Sequence, residues 1–265
     1  MSNTQPGGAP SPASASPDGS GNGASQKRGD SRASVDAAGS HDELDNGVVV
    51  LPRGRRTARP RHQPTEQLTG EPAQYQAVEQ AIRDLLNAFG VNWEDPHYTE
   101  TPARVAKAYL EYWASGYGRD PRDEITVFAN DHDAHDMVMV KDMRFYSLCS
   151  HHLAPIEGYA AIAYIPDQYL LGLSKLGRIL EIYARRFQLQ ERIGQQTADA
   201  LMELLRPKGV MVVLYNVKHG CMSSRGVKLH ESSTTTSAIR GSFRKDAALR
   251  AEAMSLLSLE TPGLG

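Results

Sequence analysis

The most informative stretch of this chain is Phe145-Tyr-Ser-Leu-Cys149-Ser-His-His152, where strand-like apolar residues lead into a cysteine and two histidines. The second cysteine has a similar setting, in His219-Gly-Cys221. Thiolate and imidazole are ligand types that zinc prefers. Cys149 and His152 can share one face of a turn, and Cys221 would complete a set of three ligands. Three protein ligands plus a water are typical of catalytic zinc, whose bound water ionises near neutral pH.

Other interpretations of these residues stay open at this point. The chain has no Cys-x-x-Cys pair, so the spacing is not that of a standard zinc finger. One more histidine would make a closed, structural zinc site with four ligands. Two buried cysteines without a metal are the remaining alternative. In the catalytic interpretation, His151 and His219 are left to act as acid and base beside the metal.

The segments around these residues show helix and strand patterns in turn. Apolar residues at helical spacing predict helices over residues 75–89, 101–113, 174–187 and 193–205. Thr101 is predicted to cap the second of these helices, and Asp246 to cap a last helix that ends near Leu257. Strands are predicted over residues 137–146, 159–165, 210–217 and 234–243. Helices grouped between antiparallel strands predict an α+β fold.

Composition divides the chain near residue 72. Of the 265 residues, 40% are apolar and 23% are charged, and the formal net charge is −2. Most of the chain should therefore be globular, and its overall charge attracts neither nucleic acid nor a membrane. It shows no apolar run long enough for a membrane helix and no secretory or mitochondrial leader, so we expect a cytoplasmic protein. Residues 1–72 lack aromatic side chains and are predicted to be a disordered tail, and residues 73–265 a single folded domain.

The tail contains a basic run. Its arginines are Arg53, Arg55, Arg56, Arg59 and Arg61. Such a run can contact nucleic acid or a partner protein. Acidic residues precede it, however, and a solvated linker is the favoured interpretation.

Cations also occupy positions where helices are predicted to begin. The dipole at a helix N-terminus favours acidic side chains, yet Arg104 lies in the first turn of one predicted helix, and Lys175 and Arg178 in that of another. Backbone N–H groups together with Lys and Arg make an anion site, typically for phosphate. Arg225, four residues after Cys221, adds a further cation. Each residue alone is more simply a surface cation, but their occurrence near a metal motif favours an anion pocket.

Gln190 and Glu191 lie at the break between two predicted helices. An ionised carboxylate can accept two parallel N–H bonds, such as those on the edge of guanine. An acidic residue favoured by the helix dipole is the simpler interpretation, and the residues alone favour it.

Taken together, the motifs strongly resemble those of the GTP cyclohydrolase I family. The matching stretches are Glu100-Thr-Pro-Ala-Arg104, Phe145-Tyr-Ser-Leu-Cys149-Ser-His-His152, Gly172-Leu-Ser-Lys-Leu-Gly-Arg178, Gln188-Leu-Gln-Glu-Arg192, His219-Gly-Cys221-Met-Ser-Ser-Arg225-Gly226 and Ser237-Ala-Ile-Arg-Gly241. They occur in the family's order and span roughly the whole chain from residue 73 onward. The tail lies outside the resemblance.

The resemblance implies a tunnelling fold, in which an antiparallel sheet carries helices on one face and follows an N-terminal helical pair. It also implies a toroidal homodecamer with active sites at subunit interfaces. The implied reaction is a zinc-dependent hydrolysis and rearrangement of GTP to 7,8-dihydroneopterin triphosphate and formate. That reaction is the first step of tetrahydrofolate and pteridine biosynthesis, within one-carbon metabolism. Neither nucleic acid nor a membrane is an expected partner.

The resemblance gives each candidate residue a role. Zinc would be held by Cys149, His152 and Cys221, while His151, His219 and Ser174 would be catalytic. Glu191 would bind the guanine, with Gln190 nearby. The triphosphate would be bound by Lys175, Arg178, Arg225 and Arg104, the last from a neighbouring subunit.

Two features depart from the family pattern. Ser150 stands where the family often has Glu, and a hydroxyl cannot take up a proton near pH 7. Residues 228–233 also differ from the commonest family loop. Ser150 supports one competing hypothesis, a weakened paralogue that binds GTP as a regulatory subunit. The presence of both histidines, all three zinc ligands and the phosphate cations argues against it.

Two further hypotheses belong to other classes. A nucleic-acid-binding module would use the basic run, but the folded part offers no recognition helix or aromatic platform. Another enzyme of the same fold, such as a pterin synthase or a nitrile reductase, would show three-histidine zinc ligation or a cysteine nucleophile without the His-x-Cys partner.

Overall fold

The computed structural model describes residues 48–49, 71–225 and 230–259. Most of the predicted tail, its whole basic run and residues 226–229 lie outside the described residues. The helices are α1 (Pro72–Ala88), α2 (Thr101–Ala108), α3 (Pro121–Glu124), α4 (Leu173–Ala184), α5 (Gln190–Leu204), α6 (Gly220–Ser223), α7 (Ser242–Lys245) and α8 (Ala247–Ser258). The strands are β1 (Val48–Val49), β2 (Val127–Ala129), β3 (Val138–Cys149), β4 (Pro155–Ile165), β5 (Tyr169–Leu171), β6 (Phe187–Gln188), β7 (Gly209–His219) and β8 (Thr234–Gly241).

A five-stranded sheet in the order β6-β3-β4-β7-β8 forms the centre of this α+β structure. The neighbours β3, β4, β7 and β8 pair antiparallel. The prediction of an antiparallel sheet is wrong at one edge, because β6 pairs parallel to β3 with Gln188 opposite Cys149. The intervening α4 carries the chain back along the sheet, so that β6 enters in the direction of β3.

Helices pack on both faces of this sheet, whereas the expected arrangement had them on one face. On one face, residues such as Ile162 of β4 pack with Leu176 of α4 and with α5. On the other face, Ala163 of the same strand packs with Phe243 of α7 and Ala253 of α8. The central strands are apolar on both sides, so both sides need a cover.

The predicted N-terminal helical pair is confirmed by the packing of α1 against α2. The α1 helix buries none of its residues, and Phe89 just after it is 80% exposed. The predicted cap of α2 is wrong by one position, because Glu100 is the N-cap residue and Thr101 is already helical. The Thr101 hydroxyl instead donates to the His97 carbonyl at 3.1 Å. A π-helical segment (Tyr109–Trp113) and a 3₁₀ turn (Ser115–Gly118) then continue the chain from α2.

The shortest elements were not predicted, because two to four residues show no periodicity. They include the small sheet β1-β2-β5 and the helices α3, α6 and α7. The cap of α8 is confirmed, since the Asp246 carboxylate accepts from the N–H groups of Ala248 and Leu249.

A close contact joins the 3₁₀ turn to the end of α4. The Gly116 N–H donates to the Arg185 carbonyl at 2.9 Å, and Arg186 Nε donates to the Gly116 carbonyl at 3.1 Å. The buried Arg186 guanidinium lies between the rings of Tyr117 and Tyr183, at 5.6 and 5.1 Å from their centres. Burial lowers the pKa of Arg186, but the carbonyls and ring faces stabilise its charge.

Gly116→Ala should lower the unfolding temperature. Its Cβ would lie 2.1 Å from the Ile182 carbonyl oxygen and 2.8 Å from that of Arg185, and moving backbone apart in this way costs roughly 1–3 kcal/mol. Gly177→Ala is the matched control, because its Cβ would meet only the Met143 sulfur at 3.8 Å and alanine favours a helix. Thermal unfolding followed by circular dichroism compares the two, and equal unfolding temperatures would contradict the close contact.

Candidate metal centre and active site

The metal motif forms where three strands of the sheet end together. β3 ends at Cys149, β4 begins at Pro155, and β7 ends at His219, which pairs with Ile156. Because β4 pairs antiparallel with both β3 and β7, these three strand ends lie together along the edge of the sheet that the strand ends form. The short helix α6 follows at once and places Cys221 beside that edge.

The turn between β3 and β4 is held by backbone hydrogen bonds. The Leu153 N–H donates to the Cys149 carbonyl at 2.8 Å, and Leu153 takes a left-handed φ of 53°. On the other side of the turn, the Ser150 N–H donates to the Gln188 carbonyl at 2.9 Å. The parallel strand β6, absent from the sequence prediction, therefore anchors the turn that presents His152.

The structure brings the three predicted metal ligands together. One ligand atom each of Cys149, His152 and Cys221 lies within 4.8 Å of the others. Cys149 is buried, Cys221 half-buried and His152 exposed, and the Cys149 Sγ lies 3.8 Å from His152 Nδ1. Burial, and then the neighbouring Cys149, raise the pKa of the Cys221 thiol. Two sulfur donors and one imidazole fit zinc better than a hard cation such as magnesium.

Arg225 contacts this centre through the other nitrogen of His152. One of its guanidinium nitrogens lies within hydrogen-bonding distance of His152 Nε2. Arginine only donates, so this contact requires an Nε2 without a proton. A metal ion on Nδ1 would place the imidazole proton on Nε2. The contact with Arg225 and a metal on Nδ1 are therefore alternatives, and metal binding would leave Arg225 available to an anion.

His219 lies at the same edge but outside the group of three ligands. Its Nε2 is 2.8 Å from Gln190 Oε1 and 3.1 Å from Thr234 Oγ1. Burial lowers the pKa of His219, and the nearby Glu191 carboxylate acts in the opposite direction. His219 also lines a cavity of about 280 Å³ that it shares with Met222 and other residues of α6 and β7.

The other two predicted residues near this edge are exposed. The His151 ring lies beside that of His152, with ring centres 6.1 Å apart. Glu191 stands in the first turn of α5, directly after the buried Gln190. The structure therefore places both histidines predicted as catalytic, and the carboxylate predicted for guanine, near the metal ligands.

Lys175 and Arg178, which are predicted to bind the triphosphate, lie at the start of α4, the end of that helix farther from the metal ligands. α4 ends at Ala184, shortly before Gln188 of β6, whose carbonyl accepts from Ser150 in the turn between β3 and β4. At 1.5 Å per residue, Lys175 lies about 14 Å from Ala184 along the helix. The start of α4 follows β5, where the Leu171 N–H donates to the hydroxyl of Tyr164. Tyr164 pairs with Val138, at the end of β3 opposite to Cys149. Within one chain, the metal ligands therefore lie far from Ser174, Lys175 and Arg178.

Two of the predicted phosphate cations, Arg178 and Arg104, have carboxylate partners in the isolated chain. Arg178 Nη1 lies 3.3 Å from Glu124 Oε2, and Arg119 approaches the other oxygen of Glu124 at 2.8 Å. The hydrogen bond from Arg119, with a smaller contribution from Arg178, lowers the pKa of Glu124. Arg104 pairs with Glu100 one turn earlier, and its side chain is 74% exposed.

Thr234 and Thr236 contact the site but were not singled out by the sequence. The threonine-rich segment was interpreted only as a β-prone strand. Alternation along β8 places both residues on one face, and Gln190 Nε2 donates to Thr236 Oγ1 at 3.0 Å. No local pattern in the sequence connects β8 to the first residue of α5.

A model of the family described as GTP cyclohydrolase I matches residues 78–258. The chain belongs to the GTP cyclohydrolase I family. Among relatives named GTP cyclohydrolase 1, that of Clostridioides difficile is 48% identical over 184 residues, which cover 69% of this chain and 96% of the relative. That of Thermobifida fusca is 49% identical over 183 residues, covering 68% and 86%. That of Deinococcus radiodurans is 44% identical over 205 residues, covering 77% and 94%.

Membership in the GTP cyclohydrolase I family makes the chain an enzyme with GTP cyclohydrolase activity. It replaces the hypotheses of a nucleic-acid-binding module and of another enzyme of the same fold. The crystal structure of an archaeosine synthase, QueF-Like, in the apo form is 18% identical with a TM-score of 0.32, and covers 40% of this chain and 93% of that one. That likeness is too small to support an argument. Within the described ranges, no helix has the length and apolarity needed to cross a membrane.

The purified protein should carry close to one metal ion per chain, and Cys221→Ser should lose most of it, because one of three donors is removed. His219→Ala is the matched control, since His219 lies at the same edge but outside the ligand group. Elemental analysis of the purified variants measures the ratio. Full metal content in Cys221→Ser, or loss of metal in His219→Ala, would show that the ligand set is different.

Proposed function

We propose that this enzyme converts GTP and water to 7,8-dihydroneopterin triphosphate and formate in a zinc-dependent reaction. The observation that carries the proposal is the placement of His219 beside the group of Cys149, His152 and Cys221, at one edge of the sheet. Hydrolysis at C8 of guanine needs both a nucleophilic oxygen and a proton donor for N7. This edge offers a site for each.

Cys149, His152 and Cys221 would hold the zinc ion. When bound there, zinc supplies a hydroxide at neutral pH. Their donor set of two sulfurs and one nitrogen leaves a position for water, as in catalytic zinc sites. Cys149 and the turn that carries His152 are fixed by β3, β4 and β6, so two of the three donors are held before metal binds.

His219 would protonate N7 of guanine and so make C8 electrophilic. Burial lowers its pKa, which makes the imidazolium a better acid, while Glu191 limits the shift. Glu191 is exposed at the start of α5 and would accept two N–H bonds from the guanine edge. After formate leaves, His151 and Ser174 would move protons in the opening and rearrangement of the ribose.

The triphosphate would be bound by cations from more than one subunit. Lys175 and Arg178 lie at the far end of α4 from the metal ligands of their own chain. We infer that another chain supplies them, together with Ser174, to each metal centre. The resemblance implies that Arg104 reaches the site from a neighbouring subunit, and we infer the same for the residues at the start of α4. Sites shared between subunits support a closed ring such as the decamer. The tunnelling fold, the cytoplasmic location and the folate pathway stay predictions.

The direct test of the proposed function is incubation with GTP. The enzyme should release formate and form a product that becomes a fluorescent pterin on oxidation. His219→Ala should keep its metal and its GTP binding but lose formate release, because it lacks the proton donor. GTP binding without formate release in the unaltered protein would instead favour the weakened paralogue suggested by Ser150.

Arg178→Ala should raise the KM for GTP roughly ten- to a hundredfold, the size expected from losing one charge-assisted bond to phosphate. When coexpressed with Cys221→Ser, it should regain turnover at low GTP, because an intact metal centre of one chain can meet an intact Arg178 of another. Coexpression of Cys149→Ser with Cys221→Ser is the matched control and should regain none, since both changes remove the metal centre. Mixed assemblies that stay as weak as the single variants would place Arg178 and the metal in one chain.

A further inference from the structure

A buried hydrogen-bond network surrounds one nitrogen of His219. Gln190 is 3% exposed, and its Oε1 lies 2.8 Å from His219 Nε2. Thr234 Oγ1 lies 3.1 Å from the same nitrogen and in very close contact with Gln190 Oε1. On the other side of the amide, Gln190 Nε2 donates to Thr236 Oγ1 at 3.0 Å. Both polar atoms of the Gln190 side chain therefore have a hydrogen-bond partner within the protein.

The positions of the hydrogens follow from this geometry. The Gln190 amide directs its nitrogen to Thr236, so its oxygen, which only accepts, faces the other two partners. The close contact between Thr234 Oγ1 and Gln190 Oε1 needs a hydrogen between two oxygens, and only the hydroxyl has one. The Thr234 oxygen then presents lone pairs to His219. Both neighbours of Nε2 are acceptors, so Nε2 must carry a proton.

We propose that Thr234 is a positioning residue that, together with Gln190, holds the proton of the neutral His219 imidazole on Nε2 and leaves Nδ1 for proton exchange with the substrate. A neutral imidazole carries one N–H, so a fixed proton on Nε2 leaves the lone pair on Nδ1. The inference rests on the proposed function for its chemistry. The proton delivered to guanine N7 comes from Nδ1 of the imidazolium, and the ring returns to its Nε2–H form.

Gln190 has a different role here from the one that the family resemblance implies. The family resemblance placed this residue near the guanine. Its side chain is instead buried under β8 and committed to His219 and two threonines, so its contribution to catalysis is the orientation of the histidine. The adjacent Glu191 is exposed and remains the residue of this pair that can reach a ligand.

The first test is kinetic. Thr234→Val removes the hydroxyl at nearly constant shape and should lower kcat roughly three- to tenfold, as expected from losing one orienting hydrogen bond. The KM for GTP and the metal content should stay unchanged. Thr234→Ser keeps the hydroxyl and should restore kcat to within about twofold, within the scatter of such effects. Thr235→Val is the matched control, because Thr235 is exposed on the opposite face of the same strand, and should leave kcat unchanged.

The second test reads the proton directly. Solid-state NMR of the sedimented, metal-loaded protein with 15N-labelled histidine reports which ring nitrogen carries hydrogen, and His219→Asn assigns the signal. A protonated Nε2 in the neutral ring supports the proposal, as does a population of the Nδ1–H form in Thr234→Val. A neutral His219 ring with its proton on Nδ1 in the unaltered protein overturns it, and so does a kcat of Thr234→Val equal to that of Thr235→Val. Because this spectrum needs no turnover, it tests the inference even if the proposed reaction fails.

Discussion

The register between β4 and β7 is the constraint on which the chemistry of this enzyme depends. With Ile156 opposite His219, the ends of β3 and β7 lie on either side of the start of β4, and the two cysteines come close together. A slip by one residue would turn each side chain to the other face. The pairing is irregular between Glu157 and Tyr159, and there a Cβ on Gly158 would come within 2.9 Å of the Val217 Cα. Glycine at that position lets the strands approach closely just before the site.

Helices and strands were predicted correctly where an apolar pattern extends over many residues, and were missed where the pattern is short or ambiguous. The apolar run of β7 and the spacing in α5 are unmistakable in the sequence, and Asp246 marks the start of α8 by its capping chemistry. By contrast, Phe187 continues the apolar spacing of α4, and so the sequence hides the end of that helix and the strand β6. The cover of the second sheet face was also hidden, because α8 is apolar around much of its surface rather than along one stripe.

The candidate site shows a similar division between chemistry and geometry. Residue types and spacing indicated Cys149, His152 and Cys221, because few side chains bind zinc, although they left a fourth ligand and a metal-free pair of cysteines open. The partners of His219 could not be selected, since threonine and glutamine are common and their roles depend on contacts between distant elements. The separation of Lys175 from the metal ligands was equally hidden. It follows from the direction in which α4 crosses the sheet, which only the topology reveals.

The order of the metal ligands along the chain has a consequence for folding. Cys149 and His152 lie in one turn, which can form early because few residues separate them. Cys221 arrives only when β7 pairs with β4, after the chain has passed through α4 and α5. Without the native pairing of β4 with β7, Cys149 and His152 stay close together in one turn but Cys221 does not join them, whereas the native ladder brings all three together. A metal ion that binds all three side chains would add to the stability of the native state, and would thereby favour the correct pairing of the two strands.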